Sequence, residues 1–182
     1  MIEVRWHGRG GQGSFTVARL LGLSAALYEN RHALAFPSFG PERRGAPVLG
    51  FTKIDDYKIN DRSAVKACDY VVVLDETLMD EHIGDGLREG GTVLVNTNSP
   101  ERYIEMVKGV SLVSLDATTL ALDILGRPIT NTAMLGALIA VADIVSLESA
   151  LKGISVEMKP VLVEKNIAVV RRAYEIVKES SR

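Results

Sequence analysis

"EVRWHGRGGQGSFTVARLLGLSAAL", residues 3–27, sets Gly8, Gly10, Gly11 and Gly13 between a short apolar run and a helical pattern. Glu3–His7 predicts a strand. Over Ser14–Leu27, Phe15, Ala18, Leu21 and Ala25 recur at spacings of three and four, which puts them on one side of a helix. A second strand follows at His32–Phe36. Strand, glycine turn, helix and strand together predict a Rossmann-like first βαβ unit of an open α/β sheet.

Glycines after a strand let the backbone turn tightly and approach a ligand with no Cβ in the way. The N–H groups opening the next helix favour an anion such as a nucleotide phosphate. The same glycines also serve where a strand and a helix simply pack closely, so both readings stand. Gly8, Gly10 and Gly13 satisfy the spacing of the dinucleotide fingerprint, but that fingerprint also needs an acid at the end of the second strand. Here the strand ends in Phe36-Pro37-Ser38, and Glu29 precedes it at the wrong end. NAD binding is therefore a minor alternative. The Walker pattern fails as well, because Ser14 and not Lys follows Gly13.

Beyond the second strand, "PSFGPERRGAP" at 37–47 is a proline- and glycine-rich loop with no room for a helix. Parallel crossovers need a dozen or more residues, so the strand at Val48–Ile54 is expected to run antiparallel. A hairpin turn at Ile54–Tyr57 and a short strand at Lys58-Ile59 are expected next. Tyr70–Leu74 reads as a buried parallel strand. A helix at Thr77–Leu87, a strand at Thr92–Val95, a helix at Pro100–Val107 and a strand at Val110–Leu115 follow. The remainder is expected to be helical over 118–125, 132–145, 147–152 and 158–179, with Val163, Ile167, Val170, Tyr174 and Val177 as one apolar stripe. The expected architecture is one domain over residues 1–182, a three-layer α/β/α fold around a mixed, mostly parallel sheet.

Composition narrows the chemistry. Of 182 residues, 47% are hydrophobic and 24% charged, enough for a sizeable core. The net charge of −2 gives no reason to expect nucleic acid or an anionic membrane as partner. Its distribution is uneven, however: residues 1–60 are net basic, while Asp69–Gly90 carries seven acids against Arg88 alone. Cys68 is the only cysteine, so an iron–sulfur cluster or an internal disulfide cannot be built from this chain alone. His7, His32 and His82 have no metal-ligand spacing. No basic segment and apolar signal core opens the chain, and Ala133–Val145 is too short to span a bilayer, so a cytoplasmic protein is expected.

Four segments carry a family resemblance: "RWHGRGGQG" at 5–13, "AFPSFGPERRGAPV" at 35–48, "VVVLDETL" at 71–78 and "PITNTAMLGA" at 128–137. With them the chain resembles the gamma subunits of ferredoxin-dependent 2-oxoacid oxidoreductases, most of all the pyruvate type. The resemblance implies a subunit of an enzyme converting pyruvate, coenzyme A and oxidised ferredoxin into acetyl-CoA, carbon dioxide and reduced ferredoxin. It implies alpha, beta and delta subunits as partners, with thiamine diphosphate, Mg and the iron–sulfur clusters held by them and none by this chain. A branched-chain oxoacid enzyme is the alternative within the family, and a purely architectural subunit is another.

The candidate binding set is Gly8, Arg9, Gly10, Gly11, Gln12, Gly13 and Ser14 in the glycine turn, with Arg43 and Arg44 in the proline loop. No catalytic residue and no metal ligand is expected. Arg43 and Arg44 have three open roles: clamping the phosphates of coenzyme A, pairing with acids of a partner subunit, or lying solvated with Glu42 as ion partner. Phe36 and Phe39 are candidate apolar anchors there. Gln12 bonds a ligand, a neighbouring chain or its own helix, and Ser14 is expected as an N-cap. Asp75, Asn96 and Asp116 follow predicted strands and either line a ligand crevice or cap the next element. Asn131 and Thr132 are placed to cap the apolar helix, and Gly136 inside it hints at close approach by another backbone. Cys68 is expected as a core residue. His7 touches a phosphate or packs with a satisfied ring nitrogen.

Overall fold

Around the opening turn, residues 2 to 37 fold into β1 (Ile2–Arg9), α1 (Ser14–Tyr28) and β2 (His32–Pro37). This computed structural model describes residues 1–38 and 44–180. The chain continues through β3 (Pro47–Asp55), β4 (Cys68–Val73), β5 (Leu87–Asn96) and β6 (Ser111–Leu115). Four helices then follow: α2 (Ala117–Leu125), α3 (Asn131–Val141), α4 (Leu147–Glu157) and α5 (Pro160–Ser180). The six strands form one sheet in the order β2-β3-β1-β4-β5-β6.

The connection into β3 is indeed too short for a crossover. β3 pairs antiparallel with both β1 and β2, while the β1–β4, β4–β5 and β5–β6 pairings are parallel. β3 alone therefore runs against the other strands, and it separates β1 from β2 inside the opening βαβ unit.

One face of the sheet carries all five helices. Val4 and Trp6 of β1, Ile54 of β3, Val72 of β4 and Leu94 of β5 project onto α1, α3 and α5. Trp6 donates its indole N–H to Thr52 Oγ1 at 3.0 Å, and that hydroxyl donates to the Ala18 carbonyl at 2.9 Å. This chain satisfies the polar atoms buried where β1, β3 and α1 meet. The helix α3 is buried along nearly its whole length. Its Gly136 faces α5, where a Cβ would collide with the Val170 carbonyl oxygen. The close approach suggested by a glycine in an apolar helix is real.

The opposite face is the third layer, and it is built differently from expectation. In place of a helix at Thr77–Leu87 there is a single 3₁₀ turn at Glu76–Leu78 followed by further turns, and β5 begins at Leu87 itself. Asp75 caps the start of that turn through the Thr77 N–H, and further along a side chain at Gly86 would strike the Lys66 carbonyl. Pro100–Val107 likewise holds only a 3₁₀ turn, Pro100–Arg102, because Val107 is its one deeply buried apolar residue. Lys58-Ile59 forms no strand. The chain from 56 to 67 instead crosses the face as an irregular strap that buries Val65. At the far end, α3 stops at Val141 where Ala142 turns extended, while α4 runs on to Glu157.

Cations rising from the sheet pin these straps. Lys53, 1% exposed, bonds Asp61 of the strap at 2.6 Å and lies 3.5 Å from Glu3. Arg88 pairs with Glu3 and, at 2.6 Å, with Asp69. Arg5 donates to the carbonyls of Ile83 and Asp85 at 3.0 and 2.8 Å. Buried ions persist only when paired in this way. Among the described residues, no helix is long and apolar enough to cross a membrane.

Gly136→Val places two methyl groups where α5 backbone already lies, so it is expected to cost about 1–3 kcal/mol and to lower the urea midpoint. An unchanged midpoint contradicts the α3–α5 contact described above.

Candidate functional site

The glycine turn lies at the edge of the sheet where the parallel strands end, between the exits of β1 and β4. This is the crevice at which open α/β sheets bind ligands. The turn's own geometry comes from tight packing. A Cβ on Gly8 would run into Ser14 Oγ, and one on Gly50 of β3 would stand 2.6 Å from the Ser14 carbonyl oxygen. Gly13 adopts a left-handed conformation at φ 81° and caps α1 through its backbone, with the Asn131 amide 2.5 Å from where its Cβ would be.

Ser14 is therefore the first helical residue and not the N-cap. Its Oγ is buried and has no hydrogen-bond partner among the described residues. Gln12 does not cap its own helix. Its Oε1 accepts from the Arg9 N–H at 2.7 Å, and its Nε2 donates to Asp75 Oδ2 at 2.8 Å, across the crevice.

Arg9 closes the same circuit. Its Nε lies 3.3 Å from Asp75 Oδ2, its Nε and Nη2 donate to Thr77 Oγ1 at 3.1 and 2.7 Å, and Nη1 reaches the Gly45 carbonyl at 3.1 Å. Asp75 also accepts from the Thr77 N–H and hydroxyl, at 3.0 and 2.6 Å. Burial opposes ionisation of Asp75. The bonds from Thr77 and Gln12 and the charge of Arg9 outweigh it and hold the carboxyl below the usual carboxylate range.

The two motif segments meet here. Gly10 and Arg44 form a parallel bridge, with Gly10 N–H donating to Ala46 at 2.8 Å and Gly45 N–H donating to Gly10 at 3.3 Å. Gly11 faces open space, and Arg44 is exposed. Arg43, with Phe39 and Glu42, lies outside the described residues. Phe36 is no surface anchor: it packs in the core against Phe51, ring centroids 5.2 Å apart.

The strand exits cap as well as line the edge. Asp116 accepts from the Thr119 N–H at 2.9 Å, starting α2. Asn96 bonds the Leu74 carbonyl at 2.9 Å and Thr118. Thr130, not Asn131 or Thr132, occupies the N-cap position of α3. Thr132 Oγ1 instead donates to Asn166 of α5 at 2.8 Å. A cleft of about 310 Å³ between these exits is lined by Gln12, Asp75, Glu76, Asn96, Thr118 and Thr130.

Cys68 is a packed core group, while His7 is half-buried and lines a cleft beside Gly8 and Arg9. Arg5 Nε donates to His7 Nε2 at 3.0 Å, so the ring proton belongs on Nδ1. Burial, reinforced by Arg5 and opposed by Asp80, lowers the His7 pKa to about 4. Burial pushes the Cys68 thiol up, away from the nucleophilic thiolate. No group of three or more His, Cys, Asp or Glu side chains able to hold a metal occurs among the described residues. For NAD, β3 stands between β1 and β2 and moves the end of β2 one strand away. Glu29, meanwhile, accepts from Ser146 at the start of α4.

Against known proteins, residues 3–176 match the family described as pyruvate ferredoxin/flavodoxin oxidoreductase. The chain is 47% identical to a pyruvate synthase subunit PorC of Methanocaldococcus jannaschii, over 96% of each chain. It is 48% identical to a pyruvate/ketoisovalerate oxidoreductases common subunit gamma of Pyrococcus furiosus, also over 96% of each. Among solved structures, a pyruvate oxidoreductase subunit of Thermotoga maritima superposes with a TM-score of 0.83 at 40% identity, covering 96% of this chain and 95% of that one.

The half-buried His7 makes stability pH-dependent. Its folded pKa of about 4 lies below the 6.5 of a free histidine, so the unfolded chain takes up the proton first. The contribution is complete above 6.5 and is lost as pH falls toward 4. Between pH 7 and pH 5 the native protein is expected to lose on the order of 1–2 kcal/mol more than His7→Gln does, measured by urea unfolding. Equal losses contradict a His7 held neutral in the folded protein.

Proposed function

The chain belongs to the pyruvate ferredoxin/flavodoxin oxidoreductase family, and from that premise we propose that it is the gamma subunit of a pyruvate synthase. The assembled enzyme oxidatively decarboxylates pyruvate, passing the acyl group to coenzyme A and the electrons to ferredoxin. The family match over residues 3–176 supports treating residues 1–182 as one unit. The relative named as common to pyruvate and ketoisovalerate oxidoreductases supports leaving the choice of oxoacid to other subunits.

This chain's side chains suit assembly and substrate positioning better than redox chemistry. A cluster needs several thiolates, and the one thiol here is buried and neutral. The donor set fits neither a cluster nor a metal-held thiamine diphosphate, so we assign these groups to the alpha, beta and delta partners and route no step through this chain.

The observation that carries the finer reading is the Gly10–Arg44 bridge. It joins segments 34 residues apart into one surface at the ligand-binding edge of the sheet. Backbone amides, an open glycine and an exposed guanidinium are suited to the phosphates of coenzyme A. In this reading the turn at Gly10–Gly13, whose Gly10 and Gln12 amides already bond Ala46 and Arg9, offers its other amides and, with Arg44 and Arg43 beside it in sequence, holds the phosphate end of coenzyme A while its thiol reaches an acyl group carried by the partners.

A second reading has its own support. Gly8, Gly13 and Gly50 are filled against by Ser14 and Asn131, and the polar groups of Arg9 and Gln12 are met within the chain. On that reading the turn is architectural and the arginine segment docks on a neighbouring subunit. Replacing Arg43 and Arg44 with Ala in the assembled enzyme separates the two. Coenzyme A positioning predicts about a tenfold rise in its KM, the loss of one charge-assisted contact, with kcat and the complex retained. An unchanged KM in an intact complex contradicts it, and dissociation of the subunits favours docking.

A further inference from the structure

The polar circuit at the crevice has a carboxylate where a bound anion would sit. Asp75 Oδ2 accepts from Gln12 and lies 3.3 Å from Arg9 Nε, and Asp75 Oδ1 takes the Thr77 N–H and hydroxyl. Four donors of the kind that grip phosphate thus converge on a side chain of the protein itself. The Arg9 guanidinium is partly exposed, and it also holds the Gly45 carbonyl, at the end of the arginine segment. Inside the same turn, Ser14 is 2% exposed and its Oγ is without a hydrogen-bond partner among the described residues. An unsatisfied buried hydroxyl is costly, and this one sits beside Gly8 of the turn with its hydrogen-bonding capacity unused.

We propose that Asp75 is an internal stand-in for the ligand's phosphate, a latch that engages Arg9 and Gln12 until a phosphate-bearing molecule displaces its carboxylate and takes over their donors. The inference rests on the reading of the glycine turn as a phosphate site. Displacement of Asp75 leaves Arg9 held by Thr77 and the Gly45 carbonyl, with its Nε side open to the ligand. The latch also keeps the crevice closed to adventitious anions in the free subunit. Its strength is set by a geometry that Asp75 has and its neighbour lacks. The neighbouring Glu76 lines the same cleft but bonds Thr97 and Tyr103 at 2.5 and 2.9 Å, away from Arg9.

The test measures binding of inorganic pyrophosphate and of coenzyme A to the full-length chain by calorimetry. Four proteins are compared: native, Asp75→Asn, Glu76→Gln, and Asp75→Asn combined with Arg9→Ala. A latch predicts that Asp75→Asn binds pyrophosphate at least tenfold more tightly than the native chain. Glu76→Gln, which removes the same charge from the same cleft, should gain threefold at most, and Arg9→Ala should abolish the gain. Equal gains at 75 and 76 reduce the effect to net charge and overturn the latch while leaving the phosphate site standing. Binding by the native chain that Asp75→Asn does not improve also overturns the latch alone. No binding by any of the four overturns latch and site together. Should Asp75→Asn not fold, carboxyl-labelled native protein answers instead: saturating pyrophosphate raises the apparent pKa of Asp75 by releasing Arg9, and an unmoved titration overturns the proposal.

Discussion

The first turn of α1 lies closer to the sheet than any side chain on β1 or β3 would permit, and the rest of the molecule is arranged around that contact. Gly8 makes room for the Ser14 hydroxyl and Gly50 for the Ser14 carbonyl. With both positions bare, the helix starts directly on the sheet, its amides at the strand exits and its apolar side on Val4, Trp6 and Ile54. β3 belongs to the same contact. It is the strand that carries Gly50, and it enters antiparallel because only the loop between Pro37 and Pro47 precedes it. The Trp6–Thr52–Ala18 hydrogen-bond chain then locks strand, strand and helix at one depth.

What the sequence makes legible follows from where its signals are local. The opening strand, the glycine turn and α1 are written in periodicity and glycine spacing within 27 residues, and they fold as read. The antiparallel β3 was accessible through loop length alone. The third layer was not. Thr77–Leu87 and Pro100–Val107 occupy the places where helices ordinarily cross over, but Asp75 caps a single turn and Gly86 is pressed on Lys66. Their conformations depend on partners across the face, which no local pattern reveals.

The candidate site divides the same way. Asp75, Asn96 and Asp116 could be placed at the sheet edge because each follows an apolar run, and Asp75 and Asp116 cap as such residues do. The bond from Gln12 to Asp75 spans 63 residues and could not be read in advance. One signal was present and easily passed over. Glu3, Arg5, His7 and Arg9 alternate with Val4, Trp6 and Gly8, so a strand at the middle of the sheet turns an ionisable row to one face. That row is what holds the third layer. Glu3 pairs with Lys53 and Arg88, Arg5 with the 83–85 carbonyls, and Arg9 with the exit of β4. Ion pairs and carbonyl contacts there stand in for the helices that usually cover such a face.

Many of the chain's polar groups are engaged in holding shape, and the proposed subunit role can be tested directly. Pyruvate-dependent reduction of ferredoxin in the presence of coenzyme A should be followed in three samples: this chain alone, the partner subunits without it, and the two recombined. A subunit role predicts negligible turnover from the first and restoration only in the third. Ferredoxin reduction by the isolated chain would contradict it.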